Sequence, residues 1–305
     1  MASINYAKQY SQALANAYPY VLNFGALYNT ENDNRYKWTG AKTIEIPVIS
    51  TTGRVNANRD SIATATRNYD NEWEAKTLTN HRMWTTLIHP MDIDETNYVA
   101  TIENITKTFN ELQKFPEMDA YCVSKIYTDF VAAGGTKISI SSKDTVLTVF
   151  DKMMLDMDNA RVPANGRILY TTYETKNELK NLSNVQRYMN VDTFSGNVSR
   201  VVNRLDEVTV VAVPATLMKT AYDFTTGFTA GSGAEQIQML LIHPSAVITP
   251  VKYEFSKLDA PSAMSNGKWV YYEESYEDVF ILKERIKAIQ FAVGTWVADS
   301  GMTGV

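Results

Sequence analysis

Apolar and polar residues alternate through Thr43-Ile44-Glu45-Ile46-Pro47-Val48, the period of a half-buried strand; Pro47, which donates no backbone hydrogen bond, puts it at a sheet edge. A second extended region is expected from Glu72 through Ile88. The stretch between them, Thr51 to Asp70, is polar and almost free of large apolar side chains, so it reads as the tip of a long hairpin. A hairpin with so little core of its own has to lie on something else, and a neighbouring subunit is the expected support.

The period then lengthens to about 3.6. Asp94 is placed to cap a helix on which Val99, Ile102, Ile105, Phe109 and Leu112 share one side. A second helix is expected from Pro116, with Glu117 and Asp119 facing the positive end of its dipole. Its stripe is Val123, Ile126 and Phe130, and Gly134-Gly135 ends it. At ~1.5 Å per residue this helix alone spans on the order of 25 Å.

Upstream, residues 1 to 40 read as an arm: Tyr6, Tyr10, Ala13 and Ala17 recur at helical spacing before Pro19, and a polar stretch follows from Asn29 to Lys37. Beyond residue 144 helices and strands alternate. Val146, Phe150, Met153 and Met157 mark a helix; Arg167 to Thr172, Val208 to Val213 and Gln238 to Ile242 mark strands. After Pro250 the chain is strand-rich, with Lys268 to Tyr272, Asp278 to Leu282 and Ala288 to Val293 before a small polar tail. The class is α+β, with no internal repeat and no linker between lobes, which are expected to share strands or pack closely.

Composition narrows the chemistry. The 305 residues are 45% hydrophobic and 21% charged, the profile of an ordered globular chain. The 18 Tyr and 5 Trp suit both ordinary cores and extensive protein contacts. A net charge of -5 argues against a dedicated nucleic-acid binder and leaves open a container for DNA, whose wall need not grip its contents. Cys122 is the single cysteine, which excludes an intrachain disulfide, a CxxC pair and a cysteine cluster for zinc, and makes a reducing compartment the natural one. The sequence from Met1 to Tyr6 lacks a basic region followed by an apolar one, and no run approaches ~18 apolar residues, so neither secretion nor a membrane partner is expected.

No catalytic, cofactor-binding or metal site emerges. His81, His89 and His243 belong to no ligand motif; two precede proline, at His89-Pro90 and His243-Pro244, which suits strand ends. Asp156-Met157-Asp158-Asn159 begins like a calcium loop but continues with Ala160, and reads as a solvated helix end. Gly231-Ser232-Gly233 lacks the glycine pattern or lysine of a phosphate loop and reads as a turn. Cys122 lies inside a helix as a small core residue. Asp92 and Asp94 suit a helix start better than a catalytic carboxylate pair.

Three segments carry a resemblance: Gly40 through Gly53 (GAKTIEIPVISTTG), Asp92-Ile93-Asp94-Glu95-Thr96, and Phe115-Pro116-Glu117-Met118-Asp119-Ala120-Tyr121. With Tyr276-Glu277-Asp278-Val279-Phe280-Ile281-Leu282 near the end, they resemble the major capsid proteins of tailed phages with the Hong Kong 97-type fold, over nearly the whole chain. The resemblance implies an N-terminal arm (1–40), an extended hairpin loop (41–90), a peripheral domain with a spine helix (91–140 and 246–298), an axial domain (141–245) and a tail (299–305). It further implies a non-enzymatic subunit that assembles through hexamers and pentamers into an icosahedral shell in the host cytoplasm. The implied partners are other copies of itself, a portal protein, a separate scaffolding protein and packaged double-stranded DNA. An encapsulin-like compartment shell is the alternative, and a soluble hydrolase the rival from another class. Two departures from the family's type member stand out. The hairpin tip has Arg54, Arg59 and Arg67 but no lysine, so lysine-based crosslinking is not expected. No long charged helical segment precedes the arm, which implies a separate scaffold or prior processing. The tip arginines read either as solvated charge or as partners for acids on a neighbour.

Overall fold

The computed structural model describes residues 22–28, 30, 36–54, 56, 67–95, 101–181 and 204–295. Most of the expected arm, most of the hairpin tip and the tail lie outside the described residues.

The first three strands are β1 (Lys37–Trp38), β2 (Thr43–Thr51) and β3 (Tyr69–Thr77), ordered β1-β2-β3 with Pro47 opposite Trp73. β1 pairs only with Glu45 and Ile44, so Pro47 has a strand on one side alone among the described residues, and its missing donor costs little. Ile44 and Ile46 are buried as the alternation predicts. They pack with Leu78, Ile248, Tyr276 and Phe280, each contributing about 1.5–3 kcal/mol by leaving water. The extended region expected over Glu72–Ile88 is two strands in different sheets. β3 stays with the hairpin, the chain crosses between sheets at Leu78–Asn80, and β4 (His81–Ile88) joins a separate sheet.

The long helix differs from the sequence reading. Asp94 falls within a short helix, Pro90–Glu95, and the next helix starts at Ile102 with Thr101 as its cap, the Thr101 side chain accepting from the Asn104 N–H. That helix does not stop before Pro116. It runs from Ile102–Phe109 through a π-helical turn, Asn110–Lys114, into Phe115–Ala132. Proline lacks the N–H for an i→i−4 bond and its ring crowds the carbonyl four residues back. The helix meets this with a wider turn, in which the Phe115 N–H donates to the Asn110 carbonyl. One rod on the order of 45 Å long results. Because it is continuous, Glu117 and Asp119 do not face a free helix N-terminus, and Asp119 has another task, described below. Gly134, at φ +86°, and Gly135 close the rod, the Gly135 N–H donating to the Phe130 carbonyl.

The remaining strands are β5 (Ile138–Ser139), β6 (Ile168–Thr172), β7 (Arg204–Leu205), β8 (Val208–Val213), β9 (Tyr222–Asp223), β10 (Thr229–Ala230), β11 (Ile237–Ile242), β12 (Val247–Ile248), β13 (Val251–Asp259), β14 (Trp269–Glu277), β15 (Phe280–Ile281) and β16 (Ile289–Val293). A six-stranded mixed sheet, ordered β5-β16-β11-β6-β8-β7, forms the centre. β11 is buried at every residue, as a continuous apolar run with both faces covered should be. Leu240 and Ile242 meet the long rod through Val123, Ile126 and Phe130. Met239 and Leu241 meet the helix Val146–Asn159 through Phe150, Met153 and Met157. The sheet draws its strands from residues as far apart as Ile138 and Val293. A second sheet, β13-β14-β4, lies against the N-terminal half of the rod; there Trp84 of β4 stacks on Phe109 at 3.8 Å between ring centroids.

Candidate assembly surfaces

Beyond Pro47 the hairpin becomes an amphipathic ribbon. Directly opposed residues of an antiparallel pair share a face, so Pro47, Ile49, Tyr69 and Trp73 lie together, with Val48, Ser50, Asp70 and Glu72 on the other face. On the apolar face Ile49 is 63%, Tyr69 56% and Trp73 48% exposed. The Arg67 guanidinium lies over the Tyr69 ring at 4.7 Å, and the face stays open to solvent.

The β13-β14-β4 sheet is two-faced in the same way. Arg82, Trp84, Tyr271 and Glu273 point to the rod, where Lys114 pairs with Glu273 at 2.5 Å and Arg82 with Glu117 at 2.6 Å. The opposite face carries Met83, Leu87, Tyr253 and Phe255, all exposed, and Phe255 lies against Tyr272 with ring centroids 6.2 Å apart. At its margin His81 meets Glu274 at 2.5 Å. β13 is an edge strand exposed at eight of its nine residues, an open row of backbone donors and acceptors of the kind that pairs with another chain.

The base of these surfaces is fixed by buried carboxylates. Both Asp119 oxygens are engaged: one accepts from the Asn23 N–H and side-chain amide at 2.9 and 2.7 Å, the other from the Phe24 N–H at 3.1 Å. This ties the segment before the hairpin to the rod. Burial still outweighs these donors and raises the Asp119 carboxyl to about 6. Asp278 accepts from the Thr79 N–H at 2.7 Å and the Tyr121 hydroxyl at 2.7 Å. One side chain thus joins the β3–β4 turn, the rod and the closing strands.

The residues weighed for chemistry fall where structure needs them. His89 and His243 follow β4 and β11 directly. Burial lowers the His243 pKa, and its Nδ1 lies 2.8 Å from the Ser245 hydroxyl. Cys122 is fully buried in the rod, and desolvation pushes its thiol well up, away from nucleophilic reactivity. Asp158 ends its helix with a half-exposed carboxylate, but it also binds Arg167 at 2.6 Å. Gly231-Ser232-Gly233 forms a turn with Gly233 at φ +74°. Asp92 lies in the short helix Pro90–Glu95. Among the described residues no group of three or more His, Cys, Asp or Glu is arranged to hold a metal ion, and no helix is long and apolar enough to cross a membrane. The sequence reading missed Asp119 and Asp278, whose distant partners lie 95 to 199 residues away, and Arg167, whose carbonyl and carboxylate partners lie four to nine residues away but form no recognised motif.

No family model and no curated protein matches the chain. Solved structures do. The capsid of cyanophage P-SCSP1u superposes with a TM-score of 0.63 at 14% identity, over 86% of this chain and 86% of that one. The mature capsid of bacteriophage PhiM1 gives 0.63 at 12% identity, over 83% and 82%. A structure of Mycobacterium phage Che8 gives 0.59 at 11% identity, over 88% and 90%. The class is therefore α+β, with the fold of these phage capsid structures. It is the Hong Kong 97-type architecture that the sequence resemblance implied.

Proposed function

We propose that this chain is the major capsid protein of a tailed phage, a structural rather than catalytic subunit that assembles through hexamers and pentamers into an icosahedral shell around double-stranded DNA. The carrying observation is the amphipathic hairpin, whose outer half leaves Ile49, Tyr69 and Trp73 exposed. A subunit that exposes such a ribbon and an apolar sheet face, on the fold of phage capsid structures, is built for heterologous contacts that close into rings and then a shell. In this reading the arm is 1–40, the hairpin loop 41–90, the peripheral domain 91–140 with 246–298, the axial domain 141–245 and the tail 299–305. The hairpin and arm reach over adjacent subunits, a portal protein and a separate scaffolding protein complete the particle, and assembly takes place in the host cytoplasm. A net charge of -5 suits a wall that encloses DNA without reading its sequence. An encapsulin-like compartment gains no support from the structural matches, which are phage particles.

The test is sedimentation and negative-stain microscopy of the purified chain, alone and co-expressed with a small helical scaffold candidate. Rings, tubes or closed particles are expected. A monodisperse monomer in both conditions overturns the reading.

A further inference from the structure

Between the rod and the inner face of the β13-β14-β4 sheet lies a cleft of about 290 Å³, lined by Arg82, Trp84, Phe109, Lys114, Glu117, Tyr121, Glu273 and Glu277 among others. Three of these carboxylates face two cations, and the cations are already engaged: Arg82 holds Glu117 and Lys114 holds Glu273. Glu277, at the end of β14, accepts no side-chain hydrogen bond and makes no ion pair at contact distance among the described residues. Burial pushes its carboxyl up to about 7; the Lys114 ammonium opposes this, while Glu254, Asp278 and Glu273 add to it. A partly buried carboxylate whose opposing charge, Lys114, is itself paired with Glu273 is costly until a further cation completes it.

We propose that this cleft receives a guanidinium from a second copy of the chain, and that Arg54 of the neighbour's hairpin supplies it to Glu277. The inference rests on the shell reading and names one of its contacts. The described residues offer no metal-binding cluster, so an organic cation is the fitting class. A planar guanidinium matches a carboxylate in two parallel hydrogen bonds and lies well against the aromatic wall of Trp84, Phe109 and Tyr121. The cleft holds roughly ten water volumes, room for one such head group and part of its stem. On the donor side, Arg67 is occupied within its own hairpin: it donates to the Tyr69 carbonyl and the Asn71 side chain and lies over the Tyr69 ring. Arg54 is exposed and has no such partner among the described residues. From Pro47 to Arg54 the ribbon extends on the order of 25 Å past the buried base, far enough to cross onto a neighbour.

A double-mutant cycle on particle formation tests the pairing. The critical concentration for assembly is measured by sedimentation for the wild type, R54A, E277Q and the double variant at one ionic strength. Each single change is expected to raise it about tenfold, and the double change no further, because both remove the same contact. Unchanged singles, or a double variant near a hundredfold, overturn the pairing while leaving the shell intact. A loss confined to E277Q also overturns it and assigns the cleft to another occupant, such as a free polyamine. A wild type that forms no particles fails the shell reading itself. E277Q keeps the side chain's volume and removes its buried charge, so thermal unfolding of the lone subunit should show no loss of fold. E277D, with the charge kept, is expected to fall between wild type and E277Q in assembly.

Discussion

Arg167 shows how one side chain can be worth more than its visible ion pair. It is fully buried, and it donates to the Pro163 and Val162 carbonyls as well as to Asp158. Removing it takes the donor from two backbone carbonyls and empties a fully buried site, whereas removing Asp158, 58% exposed, leaves the backbone bonds in place. R167A is expected to cost about 3 kcal/mol and D158A about 1 kcal/mol or less, measured by urea unfolding of the lone subunit. Equal losses would place the energy in the ion pair instead. Glu277 sets a pH dependence of definite sign. Its folded pKa of about 7 lies above the ordinary glutamate value of 4.5, so the folded state binds the proton more tightly. The stability this group contributes is fully present below about pH 4.5 and is lost as pH rises through 7. E277Q should therefore stabilise the unassembled subunit at pH 8 by about 1–2 kcal/mol, a value discounted for partial exposure. Denaturant titrations at pH 5 and pH 8 check it; an equal effect at both would show that titration is not the cause.

Among the elements, glycines separate close approach from mere turning. A Cβ on Gly294 would come within 1.8 Å of the Ile140 carbonyl oxygen, where β5 leaves its parallel pairing with β16, whereas one on Gly53 would meet nothing within 4 Å. G294A is expected to cost about 3 kcal/mol or more and G53A less than about 0.5 kcal/mol, compared by thermal unfolding. How much of the fold the sequence made legible follows the same division between local and distant causes. Ile44 and Ile46 on β2, Val123, Ile126 and Phe130 on the rod, and the all-apolar β11 announce themselves through period and burial. The continuity of the rod was hidden because Pro116 reads locally as a helix start, and only a π turn before it lets the helix pass through. β4 runs together with β3 in the sequence because both are extended; its partner β14 lies nearly two hundred residues away, beyond any local pattern. The hairpin was legible as a ribbon lacking a core. The Glu277 cleft was not, since its walls come from four separate stretches of chain.

For the whole molecule, the outer hairpin should matter to the particle and not to the subunit. Shortening the loop between Thr51 and Asp70 is expected to leave the unfolding midpoint of the lone chain within about 2 °C, because those residues add nothing described to the core. It should abolish or deform particles seen by negative stain. Replacing Ile49 and Trp73 together with serine should act alike, with a subunit stability change of about 0.5 kcal/mol or less. Normal particles from either variant would remove the hairpin from assembly. The pairing of β4 with β14 carries a consequence for timing. Residues 81–88 have no sheet partner until residues 269–276 exist, and β11 is completed on one side only by residues 289–293. A growing chain on the ribosome therefore pairs β1 to β3 and β6 to β11 early, but holds β4, β5 and one edge of β11 open until synthesis is nearly done. The central sheet and the β13-β14-β4 sheet are thus complete only once the last strands emerge, and folding of both finishes at the end of synthesis.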